Sequence, residues 1–301
     1  MSDTNSPRGP EWPTLALVVA VYAVWLGATV FAAALTPWLA VPALALAITL
    51  HSSLQHEVIH GHPLPSRRLS EALVRPPLGL AFPYERFRDT HLAHHRDAIL
   101  TDPYDDPESN YLDPAIWARL SRPLRAALRV NNTLLGRMIV GPALGTFVFL
   151  RDDAARIRAG DGALRRVWLR HGVGVAAVLG FVAAVGAMSI PAYLLASYLA
   201  LSILKIRTFL EHQAHERALG RSVIIEDRGP LAFLFLNNNL HAVHHAYPQV
   251  PWYRLPALYA ARREEWLRRN LGYRYDGYGQ ILRRHLLRRK DPVPHPLWPA
   301  Q

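Results

Sequence analysis

The sequence predicts an all-α fold: a four-span transmembrane helical bundle of two hairpins, with a cytoplasmic helical cap that carries clustered histidines. Three observations predict it. Half of the 301 residues are apolar, and they gather into four runs of roughly membrane-spanning length. Within each pair of runs the connection is very short. Arginines concentrate in two blocks, 67–166 and 217–289, each flanking apolar runs. Cationic loops of this kind stay on the cytoplasmic face.

The first span is expected over 14–35, TLALVVAVYAVWLGATVFAAAL, with Trp12 and Trp38 at its ends, where indoles prefer the interface. Thr36-Pro37-Trp38 makes a tight turn into a second span over 39–55, whose helix continues beyond the membrane surface and carries HEVIH. The polar cap segment 56–166 contains one apolar stretch, 131–150, interrupted by Arg137, Gly141, Pro142 and Gly145. A charge and three breakers predict an interfacial or re-entrant helix there. The third span is expected over 172–190, Pro191 turns the chain, and the fourth follows over 192–210. Lys205 and Arg207 at its end can snorkel to the interface. The remainder, 211–301, is soluble and basic, and the whole chain 1–301 reads as a single membrane domain. The polar N-terminus lacks the charged start and cleavage site of a signal peptide, so the first span is expected to be retained.

There are no cysteines, which excludes disulfides, zinc–thiolate sites and iron–sulfur clusters within the chain. Any metal must be held by nitrogen and oxygen. A net charge of +11 suggests nucleic acid at first sight, but basic membrane-flanking loops account for it, and no nucleic-acid partner is expected.

Fifteen histidines stand out less by number than by placement. His56 and His60 are four apart and share a helix face. His91, His94 and His95 form HLAHH; His241, His244 and His245 form HAVHH; His212 and His215 lie in EHQAH. The stretch HEVIH matches the HExxH of zinc peptidases, where Glu57 would act as general base. That reading leaves both HxxHH clusters unexplained. Neutral imidazoles suit zinc, copper, iron or nickel. Eight or nine of them exceed what one tetrahedral ion can use and match two metals. A metal transporter would carry its histidines within the spans, whereas these cluster just outside them.

The segments HEVIHGHP, HLAHHRD, RTFLEHQAH and NNNLHAVHHAYPQVPWYRLP, from about 50 to 256, resemble the integral-membrane fatty acid desaturase and hydroxylase superfamily. The resemblance implies a mushroom-shaped bundle with two non-haem irons. Carried over by position, the ligands are His56, His60, His91, His94, His95, His212, His241, His244 and His245. His215 is the fallback for His212, and the nearby His51 and His62 are left out. HEVIHGHP and NNNLHAVHH look most like bacterial desaturases, including those acting on amino-acid-derived compounds such as dihydrorhizobitoxine. The location implied is a bacterial inner membrane, with both termini and the histidines cytoplasmic.

The chemistry implied is O2-dependent attack on an unactivated C–H bond of a fatty acyl chain or a related small aliphatic molecule. Desaturation is the expected outcome and hydroxylation the alternative. Neutral ligands do not cancel the charge of two ferrous ions, so carboxylates should lie beside them. Glu57, Asp89, Asp97 and Glu211 are the candidates, each within two residues of an expected ligand. Asp102, Asp105 and Asp106 in TDPYDDPES are expected to form a separate acidic loop, structural or substrate-gating. Asn239 is expected to cap the HAVHH helix, with a water-mediated contact to metal as the alternative. Tyr247, Pro248, Trp252, Tyr253 and Arg254 are expected to pack the cap against the headgroup layer. The reaction consumes two electrons per turnover. The chain carries no cysteine for an iron–sulfur or rubredoxin centre, no GxGxxG fingerprint and no appended haem domain, so an external ferredoxin or rubredoxin with its reductase is the expected donor.

Overall fold

The computed structural model describes residues 9–96 and 99–298. Contacts divide the chain into two compact units, Met1–Arg88 with Pro142–Ile203, and Asp89–Gly141 with Leu204–Gln301.

Most of the four long apolar helices belongs to the first unit. They run Trp12–Ala32, Pro37–Ile59, Gly162–Val185 and Ile190–Thr208, each long and apolar enough to cross a membrane. Their outward faces carry bare apolar side chains: Val19 is 69% exposed, Leu39 69% and Val173 72%. A water-soluble protein rarely tolerates such a surface, whereas hydrocarbon solvates it. The second helix ends at Ile59, so His56 lies in its last turn and His60 directly follows it. The third starts ten residues before the expected position. Hydropathy marks only its apolar part, but Asp161 sets its true beginning by accepting from Leu164 N at 2.9 Å. The polar first turns, with Arg165, Arg166 and Arg170, are therefore helical as well.

Polar side chains tie the helices of this unit together. Trp25 Nε1 donates to Tyr193 OH at 2.9 Å, and Tyr193 OH donates to Leu78 O at 2.8 Å. Gly27–Ala32 in the first helix is a π-helical turn. Within it, the Thr29 carbonyl accepts from Ala187 N at 2.9 Å and Met188 N at 3.2 Å, in the turn between the third and fourth helices. Arg86 grips Asp153 with two nitrogens, and Trp168 Nε1 donates to the same carboxylate.

The 131–150 stretch is not one helix. It breaks into Leu134–Ile139 and Gly141–Arg158, the second beginning with Gly141-Pro142. Proline fits the first turn of a helix but not its interior, so Pro142 starts an element instead of interrupting one. Thr133 Oγ1 caps the first helix by accepting from Gly136 N at 3.1 Å. A Cβ at Gly136 would lie 2.0 Å from Val130 O. Gly136→Ala is therefore expected to destabilise the protein by about 1–3 kcal/mol, measured as a lowered melting temperature in detergent; an unchanged melting temperature would show that the turn relaxes freely.

The second unit is built from short helices and loops. Pro114–Arg119 and Arg122–Asn131 precede Leu134–Ile139. After Thr208 come the helices Pro230–Leu234, His241–Ala246, Leu255–Ala261, Arg263–Arg269 and Tyr278–His285. Two-residue strands Ile224–Ile225 and Arg274–Tyr275 pair in parallel, Ile224 opposite Arg274. Ile224, Leu240, Val243, Leu255, Tyr259 and Trp266 form a buried core. That core fixes the His241–Ala246 helix from behind: Val243 points into it, which leaves His241, His244 and His245 on the other side. Tyr247 packs on this core against Trp266, and Trp252 O accepts from Asn237 Nδ2.

Candidate metal centre

Three separate stretches of the second unit deliver seven histidines to one place. His91 and His94 project from the helix Tyr84–His94, and His95 follows it. His241, His244 and His245 lie on the His241–Ala246 helix. His212 lies on neither; its extended backbone pairs with Ser222 in an antiparallel bridge.

The imidazoles form two adjoining groups. In one, the ligand nitrogens of His94, His212, His241 and His245 all lie within 4.8 Å of one another. His212 Nε2 is 2.8 Å from His94 Nε2 and 2.9 Å from His241 Nε2. In the other, His95 Nε2 lies 2.9 Å from His91 Nε2 and 3.3 Å from His244 Nε2. The groups touch where the His95 ring stacks on His245, centroids 4.2 Å apart.

The opposite ring nitrogens face polar partners. His94 Nδ1 lies 2.8 Å from Asp106 Oδ1, and His91 Nδ1 3.1 Å from Glu108 Oε1. His241 Nδ1 lies 3.1 Å from Asn238 Oδ1, and His212 Nδ1 3.2 Å from Ser222 Oγ. An acceptor at Nδ1 draws the proton there and leaves Nε2 as a lone-pair donor. Three lone-pair donors at contact distance repel unless a cation lies among them. An all-imidazole set of this kind suits iron, zinc, copper or nickel, so the residues fit a bound transition metal.

Charge supports the same conclusion. Burial, reinforced by the neighbouring imidazoles, holds His212 and His241 well below the usual histidine range, in the neutral form that ligates. Burial also opposes charge on His94, but Glu108 and Asp106 outweigh it and lift that imidazole to about 9. Burial alone would raise Glu108; His94 and His91 hold it below the ordinary carboxylate range instead. Glu211 is raised by burial, partly offset by Arg207, which lies 3.2 Å away. Asp106 and Glu108 thus stand behind the imidazoles, and a metal ion binding in front of them would displace the proton that they hold on His94.

His56 and His60 lie in the first unit, their ring centroids 5.0 Å apart at the end of the second long helix. Glu57 is buried beside them, its carboxylate 3.9 Å from His56 Nδ1. His62 is engaged elsewhere, its Nδ1 2.5 Å from Glu11 Oε1. His51 is buried within the helix and packs edge-on against Tyr22. His215 Nδ1 accepts from Arg217 N at 3.0 Å in a local turn, whereas His212 joins the cluster.

The carboxylates differ most from expectation. Asp89 is exposed, and Asp97 lies outside the described residues. Glu211 is buried 3.9 Å from His241 Nδ1 and accepts from Asn238 Nδ2 at 2.9 Å. The acids that touch the clustered histidines directly, Asp106 and Glu108, come from the TDPYDDPES loop expected to stand apart. Asn239 does not cap the HAVHH helix. Its Nδ2 donates to Ile225 O at 2.6 Å and Asp227 O at 3.1 Å, and Asn238 is the residue that meets His241. A dense acidic loop in an otherwise basic chain was the available signal for Asp106 and Glu108; nothing in the sequence separates Asn238 from Asn239.

No curated protein matches the chain. A family profile does, that of the fatty acid desaturases, over residues 32–277. This interval contains all nine histidines of the three boxes and the His212 segment, and it makes the protein a membrane oxidoreductase. By that match, and by the histidine groups that fall within it, the chain belongs to the fatty acid desaturase family.

Proposed function

We propose that the protein is a di-iron desaturase that introduces a C=C bond into a fatty acyl chain or a related aliphatic molecule. The observation that carries this reading is the convergence of seven imidazoles into two adjoining groups backed by Asp106 and Glu108. His94, His212, His241 and His245 would hold one iron. His91, His95 and His244 would hold the other, with His56 and His60 completing it, as the order of the family's histidine boxes suggests. Bound iron would supply the redox chemistry that couples O2 reduction to removal of hydrogen from an unactivated carbon. Overall, the substrate loses two hydrogens, O2 becomes two waters, and two electrons and two protons enter from outside.

The chain's own groups serve that chemistry by position and charge. Asp106 and Glu108 fix the rings of His94 and His91 and offset part of the metal charge. Asn238 links His241 to Glu211 and so holds a third ligand in line with buried negative charge. Electrons would come from a ferredoxin- or rubredoxin-type donor. His245 forms part of the wall of a shallow recess with Leu219, Trp266 and Arg269, where an acidic donor could approach a ligand closely. The location inferred is a bacterial inner membrane with the histidines on the cytoplasmic side, a reading supported by the arginine-rich segments that flank the apolar helices.

Metal analysis of the detergent-purified protein is expected to give two irons per chain, and one zinc would overturn the reading. Expression with a ferredoxin and its reductase, followed by mass spectrometry of lipids and polar metabolites, is expected to reveal a product two hydrogens lighter. A product heavier by one oxygen would make the protein a hydroxylase instead.

A further inference from the structure

His212 is the one ligand of its group that no helix carries. Its neighbours in the second unit share regular elements that orient their side chains, whereas His212 depends on a short antiparallel pairing, with Gln213 N donating to Arg221 O at 2.9 Å and Val223 N donating to Glu211 O at 3.1 Å. Among the described residues, the partner at its Nδ1 is the Ser222 hydroxyl, at 3.2 Å. The direction in which Nε2 points is therefore set chiefly by where the 211–214 backbone is held.

That backbone is held from outside the segment. Lys290 Nζ donates to the His212 carbonyl. Two residues on, Ala214 N donates to Tyr111 OH at 2.9 Å, and Tyr111 OH donates to Asp291 Oδ2. The Lys290 ammonium lies 3.8 Å from the Asp291 carboxylate and over the Tyr111 ring, which closes the arrangement into a loop around His212. Its side chain is only 9% exposed. Burying an ammonium is unfavourable unless its partners compensate, and here those partners are the ligand segment and Asp291.

Lys290 and Asp291 lie past residue 277, beyond the family match. They belong to a strap laid across the second unit. Leu135 N donates to Leu286 O at 3.0 Å, Lys290 N to Asn132 O at 3.1 Å, and Leu112 N to Val293 O at 3.0 Å. Asn132 Nδ2 fixes the strap at Asp291 O, at 2.6 Å. We propose that Lys290 and Asp291 are positioning residues for the metal ligand His212, so that this strap is part of the metal centre of this chain. The proposal rests on His212 being a ligand.

The full-length protein in detergent tests it through metal binding. Lys290→Met is expected to weaken metal retention against a chelator by ~10–100-fold at one of two sites. It should also change the visible absorption of the cobalt(II)-loaded protein, which reports ligand geometry. Lys290→Arg, which keeps the donor, is expected to restore both. Asp291→Asn and Tyr111→Phe act on the second arm and should move both readouts the same way; they decide the matter if Lys290→Met fails to fold. Wild-type retention and spectrum in Lys290→Met, or in both second-arm variants, would overturn the proposal, as would an arginine variant no better than methionine. His212→Ala is the control: if it too keeps both metals, the ligand assignment fails, not the strap.

Discussion

Replacing His241 with alanine is expected to leave the purified protein with about one metal ion per chain in place of two, and with no measurable turnover. The group it belongs to has four imidazoles, and the His241 and His212 nitrogens are 2.9 Å apart. Removing one ligand frees a coordination position, and it also frees Asn238 and Glu211, whose hydrogen bond runs toward His241 Nδ1. The loss should exceed the ~10–100-fold typical of removing a ligand's hydrogen-bond partner. Iron determination alongside product analysis checks both parts. Two irons with normal turnover would remove His241 from the centre.

Asp106→Asn is the second large effect expected. Asp106 is 5% exposed, and its carboxylate faces three N–H groups: His94 Nδ1 at 2.8 Å, Glu108 N at 2.9 Å and Thr101 N at 2.9 Å. A carboxylate has lone pairs for all three. An amide has one oxygen and would turn its NH2 against at least one donor. Metal affinity and activity should fall ~10–100-fold, with His94 no longer held at a fixed tautomer. Asp89→Asn, at an exposed position five residues before His94, is the comparison and should leave metal retention unchanged. Chelator competition on the two variants separates the cases; equal losses would mean that total charge, not the contact to His94, is what matters.

That comparison also shows what the sequence could reveal. Long apolar runs and box spacings are local patterns, and the four spans and the histidine clusters follow from them. The carboxylates do not, because a loop folding back twelve residues brings Asp106 to His94 while Asp89, closer in sequence, faces solvent. Proximity along the chain was the wrong guide wherever the backbone turns. The same holds at 131–150, where Pro142 begins a helix, and at Gly162–His171, where a helix continues through arginines that hydropathy reads as loop. Lys290 is the extreme case: nothing in its local sequence points seventy-eight residues back to His212.

The π-helical turn at Gly27–Ala32 bears on how the first unit assembles. Ala187 and Met188 both donate their amides to Thr29 O. These two amides lie in the turn between the third and fourth helices, and Thr29 O serves both. A chain inserted from its N-terminus has this carbonyl in place before residues 187 and 188 are synthesised. The earlier hairpin thus offers a ready-made berth to the later one, and the order of translation matches the order in which the two amides find their acceptor.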